Sequence, residues 1–113
     1  MRELKIANYE IGAKDPETNK RISAPYEVRE SIVEILFHPE LRLNATDLLK
    51  TNELAKKILG CKKDYVLLEE EEYQRLLDAC NKIQGFGRNE VELVQRILDA
   101  KEVEVAKSAP AKA

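Results

Sequence analysis

The sequence predicts an α+β fold: a small, helix-dominated domain with an N-terminal β-hairpin, about four helices and one short additional strand. Three observations carry that expectation. The chain has 113 residues, room for one core but not two. Apolar residues alternate near the N-terminus and then recur at helical spacing in four later segments. Leu, Ile, Val and Phe together number 31, above what a disordered chain carries, even though 35% of residues are charged.

The elements follow in order. Leu4 and Ile6, then Tyr9 and Ile11, alternate with a slip of one residue near Ala7-Asn8, which reads as one bulged strand over residues 3–11. Lys14 to Lys20 contains Pro16 and Asn19, turn formers, and leads to Ile22, so a β-hairpin is expected. From Tyr26 to His38, Val28, Ile32, Ile35 and Leu36 fall at helical spacing, with Val33 and Phe37 widening the stripe, and Pro39 stops the helix. Asn44 is placed to cap a second helix, with Asp47 three residues on and Leu43 positioned to staple Leu48. Gly60 is expected to end that helix in the left-handed conformation, where lysines favour the negative end of the dipole.

Asp64 to Leu68 reads as a short strand. Glu69 to Glu72 then suit the start of a third helix, whose stripe is Tyr73, Leu76, Leu77, Cys80 and Ile83, ended by Gly85 with Phe86 folding back. Asn89 and Glu92 have capping-box spacing for a fourth helix with Val91, Val94, Ile97 and Leu98 on one face. Val103 and Val105 suggest an edge strand. The compact domain is expected over residues 1–105, with 106–113 a tail that has no large apolar side chain to bury.

Composition excludes several classes of function. Nineteen Lys plus Arg against 21 Asp plus Glu give a net charge of -2, poor for coating polyanions nonspecifically. Apolar runs of three residues cannot span a bilayer, so no membrane partner is expected. The charged start lacks the apolar stretch of a signal peptide, so the expected compartment is the cytoplasm. Cys61 and Cys80 are too few and too far apart for a zinc motif or a disulfide scaffold, and no cofactor or metal site is expected.

Residues that could carry chemistry are sparse. His38 lacks a sequence partner for acid-base work and suits a helix-end role. Cys80 reads as a buried hydrophobe, and Cys61 stands beside Lys62 and Lys63, cations that favour a thiolate. Glu69 to Glu72 point in four directions and make a poor cation site. The loop Gly85-Phe86-Gly87-Arg88 follows a helix, unlike a phosphate cradle, but Phe86 and Arg88 are residue types that anchor protein interfaces. Phe37 and Leu93, on the broad apolar faces of the first and last helices, complete the interface candidates. Lys50, Lys56, Lys57, Lys62 and Lys63 form the basic cluster on which a nucleic-acid-binding alternative rests.

The stretch Tyr65-Val66-Leu67-Leu68 through Glu72-Tyr73, with Leu76 and Leu77, resembles the strand-to-helix passage of small antitoxins of the Phd type over about a dozen residues. That resemblance implies binding of DNA by one part of a chain and of a toxin by another, and no residue role is carried over from it. A small acidic domain of this kind also resembles phage-type accessory proteins, such as assembly chaperones and inhibitors of a host factor. The expected function is therefore a non-catalytic protein-interaction or assembly module that self-associates as a homo-oligomer; the alternative is a small nucleic-acid-binding regulator.

Overall fold

The computed structural model describes residues 1–103; Val105 and the expected tail 106–113 lie outside the described residues. The fold class is α+β. Five strands and four helices run in the order β1 (Arg2–Lys5), β2 (Tyr9–Lys14), β3 (Arg21–Tyr26), α1 (Val28–Leu36), α2 (Ala45–Gly60), β4 (Tyr65–Leu68), α3 (Glu70–Lys82), α4 (Val91–Leu98) and β5 (Lys101–Glu102). Short 3-10 turns at Pro39–Leu41 and Arg88–Glu90 precede α2 and α4. No helix among the described residues is long and apolar enough to cross a membrane.

The strand expected over residues 3–11 is two strands in two sheets. β1 is the centre of a three-stranded antiparallel sheet of order β4-β1-β5, with Leu4 opposite Val66 and Arg2 opposite Leu68 and Glu102. Among the described residues β2 pairs with β3 alone, Tyr9 opposite Tyr26 and Lys14 opposite Arg21. The slip in alternation at Ala7-Asn8 marks this change of sheet, not a bulge. Leu4 and Ile6 are fully buried, and the chain then turns away with Asn8 Oδ1 accepting the Val28 backbone N–H at 2.9 Å. That bond satisfies an orphan donor of α1, whose own Glu27 supplies no side-chain cap.

The core gathers Leu4 from β1 and Ile6 just after it, Val66 and Leu68 from β4, and the inward stripes of all four helices. α1 packs on α2, and α3 meets α1, α4 and β4. Several local signals hold in α1 to α3. His38 is extended before Pro39, as the proline requires. Asn44 Oδ1 accepts the Asp47 N–H at 2.8 Å. Tyr73, Leu76, Cys80 and Ile83 are buried, and the Tyr73 hydroxyl donates to the Ile97 carbonyl at 2.7 Å, tying α3 to α4.

Three boundaries differ from expectation. Gly60 lies within α2, and the cap is Cys61 in extended backbone, so the helix leaves directly toward β4 without a left-handed residue. Gly85 does take φ +96°, two residues after the cap of α3 at Ile83. The start of α4 is not held by Asn89 and Glu92: Glu90 accepts the Gly87 N–H at 2.7 Å, while Glu92 turns to Arg96. The edge strand is β5, Lys101–Glu102, with the Val103 N–H bonded to the Met1 carbonyl at 2.7 Å.

Candidate protein-binding surface

Because strand side chains alternate, β2 and β3 divide their residues cleanly. One face of the ribbon carries Tyr9, Ile11, Ala13, Ile22, Ala24 and Tyr26; the other carries Glu10, Gly12, Lys14, Arg21, Ser23 and Pro25. The Tyr9 and Tyr26 rings stack at the base of the apolar face, 4.8 Å apart. Toward the tip, Ile22 remains 44% exposed. A lone two-stranded ribbon with one apolar face is marginal in water, so its base must be held from outside.

Arg96 on α4 holds it. Its guanidinium donates to the Ala7 carbonyl at 2.6 Å, pairs with Glu92 at 2.6 Å, and lies over the Tyr9 ring at 4.9 Å. The Tyr9 hydroxyl donates to the Asn89 carbonyl at 2.6 Å. Burial pushes the Tyr9 and Tyr26 hydroxyls above their ordinary range.

α4 carries apolar residues on two faces. Leu93 and Ile97 are fully buried, whereas Val91 is 61% and Leu98 49% exposed, with Val94 half-buried on the same outer stripe. A shallow groove of about 270 Å³ runs along that stripe beside Phe86. A larger groove of about 630 Å³ lies between Tyr9, Glu10 and Ile11 of β2 and Arg88, Val91 and Gln95. The two meet at Val91 and Gln95, so the outer face of α4 and the β2 side of the ribbon form one surface.

The sequence-derived interface residues fall unequally. Phe86 packs half-buried against the core and lines the shallow groove, and exposed Arg88 lines the larger one. Phe37, 37% exposed at the end of α1, lines neither. Leu93 is corrected: it is fully buried and belongs to the core, because the inward face of α4 is Leu93 and Ile97. Val91 and Leu98, Ile11 and Ile22 were missed as surface anchors. The available signal was that five of eight α4 residues are apolar, more than one helix face can bury.

The basic cluster is largely answered by carboxylates. Lys57 meets Glu72 at 2.7 Å, Lys56 meets Glu53 at 3.4 Å and Lys50 meets Glu71 at 3.9 Å, while Lys62 and Lys63 are exposed. Glu72 also accepts the Glu69 N–H, so Glu69 to Glu72 open α3 through a capping box.

The reactive side chains take structural positions. His38 Nδ1 accepts the Glu40 N–H at 3.1 Å, capping the turn that follows it. The Cys61 thiol donates to the Tyr65 carbonyl at 3.3 Å. Burial pushes the Cys80 thiol up to about 11. A cleft of about 380 Å³ between α2 and α3 contains the buried Thr51 hydroxyl, which has no hydrogen-bond partner among the described residues, and the Arg75–Asp47 pair at 3.7 Å. A nucleophile there would need a base within hydrogen-bond reach, and Thr51 has none. Among the described residues, no group of three or more His, Cys, Asp and Glu could hold a metal ion.

No protein-family model, curated protein or solved structure matches the chain.

Proposed function

We propose that this chain is a non-catalytic protein-interaction module that assembles with itself through the outer face of α4 and the adjoining ribbon. The observation that carries the reading is the exposed apolar stripe of Leu98, Val94 and Val91 on α4, which adjoins the groove that Ile11 of β2 lines. Water-exposed Val and Leu at helical spacing, flanked by a half-buried aromatic and an arginine, have the composition of an interface core with a polar rim. The nucleic-acid alternative has less support, since three of its five lysines already face carboxylates. Both cysteines are free thiols, which favours the cytoplasm as the working compartment.

The test is light scattering behind size exclusion on the intact chain and on a Val91→Ser, Leu98→Ser double variant. Both positions are solvent-exposed, so the fold should shift by no more than about 0.5 kcal/mol per site. The intact chain should exceed 12.9 kDa with rising concentration while the variant stays at the monomer mass. An intact chain that remains monomeric, or a variant that assembles equally well, would overturn the proposal.

A further inference from the structure

The backbone of the ribbon shows which groups β2 leaves open. The Asp15 N–H bonds the Lys20 carbonyl at 2.8 Å, which makes Asp15 and Lys20 a hydrogen-bonded pair. In an antiparallel ladder such pairs alternate with non-bonded ones. Stepping back along the register, Ala13–Ile22, Ile11–Ala24 and Tyr9–Tyr26 are bonded pairs, whereas Lys14–Arg21, Gly12–Ser23 and Glu10–Pro25 are not. Pro25, which has no N–H, sits where the ladder asks for none. Glu10, Gly12 and Lys14 therefore direct their N–H and C=O groups outward, along an edge that opens onto the groove beside α4.

The polar face over this edge is unbalanced in one copy. Lys14 stands directly opposite Arg21, two like charges in the closer class of cross-strand pair, and neither makes an ion pair among the described residues. Glu10 lies four residues before Lys14 on the same strand and face, opposite the uncharged Pro25, and among the described residues only the Ser23 hydroxyl donates to it.

We infer that β2 pairs antiparallel with β2 of a second copy about a two-fold axis through Gly12, setting Glu10 of each strand opposite Lys14 of the other. This rests on the self-assembly reading above and names its geometry. In that register Glu10 with the partner's Lys14, Gly12 with the partner's Gly12 and Lys14 with the partner's Glu10 form the hydrogen-bonded pairs, using every open backbone group of the edge. The partner's Glu10 supplies the carboxylate that Lys14 and Arg21 lack. The apolar faces of the two ribbons join on one side of a four-stranded sheet, with Ile11 opposite the partner's Ala13. Glycine on the axis leaves room for Arg21, whose guanidinium lies 3.1 Å from where a Gly12 Cβ would be. A lysine at a strand edge usually discourages pairing; here the same strand carries its complement at the symmetric position.

The test is charge reversal and rescue, read as dimer dissociation constants by sedimentation or light scattering, with circular dichroism to check the fold. Glu10→Lys and Lys14→Glu each replace two opposite-charge pairs by two like-charge pairs and should each raise the constant about tenfold or more. The double variant restores opposite charges with the order reversed and should return to within about twofold of the unaltered chain. If the single variants dimerise as well as the unaltered chain while Val91→Ser, Leu98→Ser does not, the register is overturned and the assembly reading stands. If the unaltered chain never dimerises, both fall.

Discussion

Arg96→Ala is the substitution that most directly tests how the ribbon is fixed to the body. The Arg96 side chain is 11% exposed and has four partners: the Ala7 carbonyl at 2.6 Å, the Lys5 carbonyl at 3.5 Å, Glu92 at 2.6 Å and the Tyr9 ring at 4.9 Å. A hydrogen bond from a charged donor contributes about 1.5–3 kcal/mol. The cation-π contact adds about 0.5–1 kcal/mol, and the helical pair with half-exposed Glu92 about 0.3–0.5 kcal/mol. Water can reach part of the vacated site, so the expected loss is about 2 kcal/mol, a large fraction of the stability of a small domain. Urea denaturation followed by far-UV circular dichroism measures it. Arg96→Lys should lose less, because it keeps a charge and a donor. A double-mutant cycle with Tyr9→Leu should show coupling of about 0.5–1 kcal/mol, since the two side chains touch. A loss below about 0.5 kcal/mol for Arg96→Ala, or strict additivity with Tyr9→Leu, would refute the claim that this guanidinium ties ribbon to helix.

Leu93→Ala should cost about 3–5 kcal/mol in the same denaturation assay, as deletion of a fully buried side chain does; a loss below about 1 kcal/mol would mean Leu93 is a surface residue after all. Stability should also fall in alkali. Burial raises the Cys80 thiol from 9.0 to about 11, so between those values the unfolded chain releases a proton that the folded chain keeps, and stability is lost as pH rises. The loss is on the order of 2 kcal/mol, and Cys80→Ala should flatten the pH 8–11 slope relative to the unaltered chain; an unchanged slope would contradict it.

Elements set by neighbouring residues were legible in the sequence. Pro39 stops α1, Asn44 caps α2, and the Tyr73, Leu76, Cys80, Ile83 stripe points into the core, because each depends on contacts within a few turns of chain. What depended on distant partners was not. The alternation from Leu4 to Ile11 is the same whether one strand or two carries it; only the pairing of β1 with β4, more than sixty residues later, separates it from β2. Gly60 had the sequence of a left-handed cap, yet the immediate path into β4 favours extended backbone at Cys61.

The candidate surface was half legible for a related reason. The apolar excess of α4 was visible, and it pointed correctly to a helix with more hydrophobic surface than one contact can cover. Which face turned inward was decided by the fit of Leu93 and Ile97 to the core, leaving Val91 and Leu98 outside. The self-complementary order of Glu10, Gly12 and Lys14 was present in the sequence as well. It acquires meaning only once the register shows that these three backbones face outward.

The central claim is that a second copy pairs along β2, and residue-resolved hydrogen exchange tests it most directly. Amide exchange would be followed by NMR at a dilute concentration and at one where scattering reports a dimer. The Ile11, Ala13 and Asp15 amides, bonded within the ribbon, should be protected at both. The Glu10, Gly12 and Lys14 amides should exchange freely when dilute and slow markedly in the dimer. Equal, fast exchange of those three amides in an assembled sample would contradict the account.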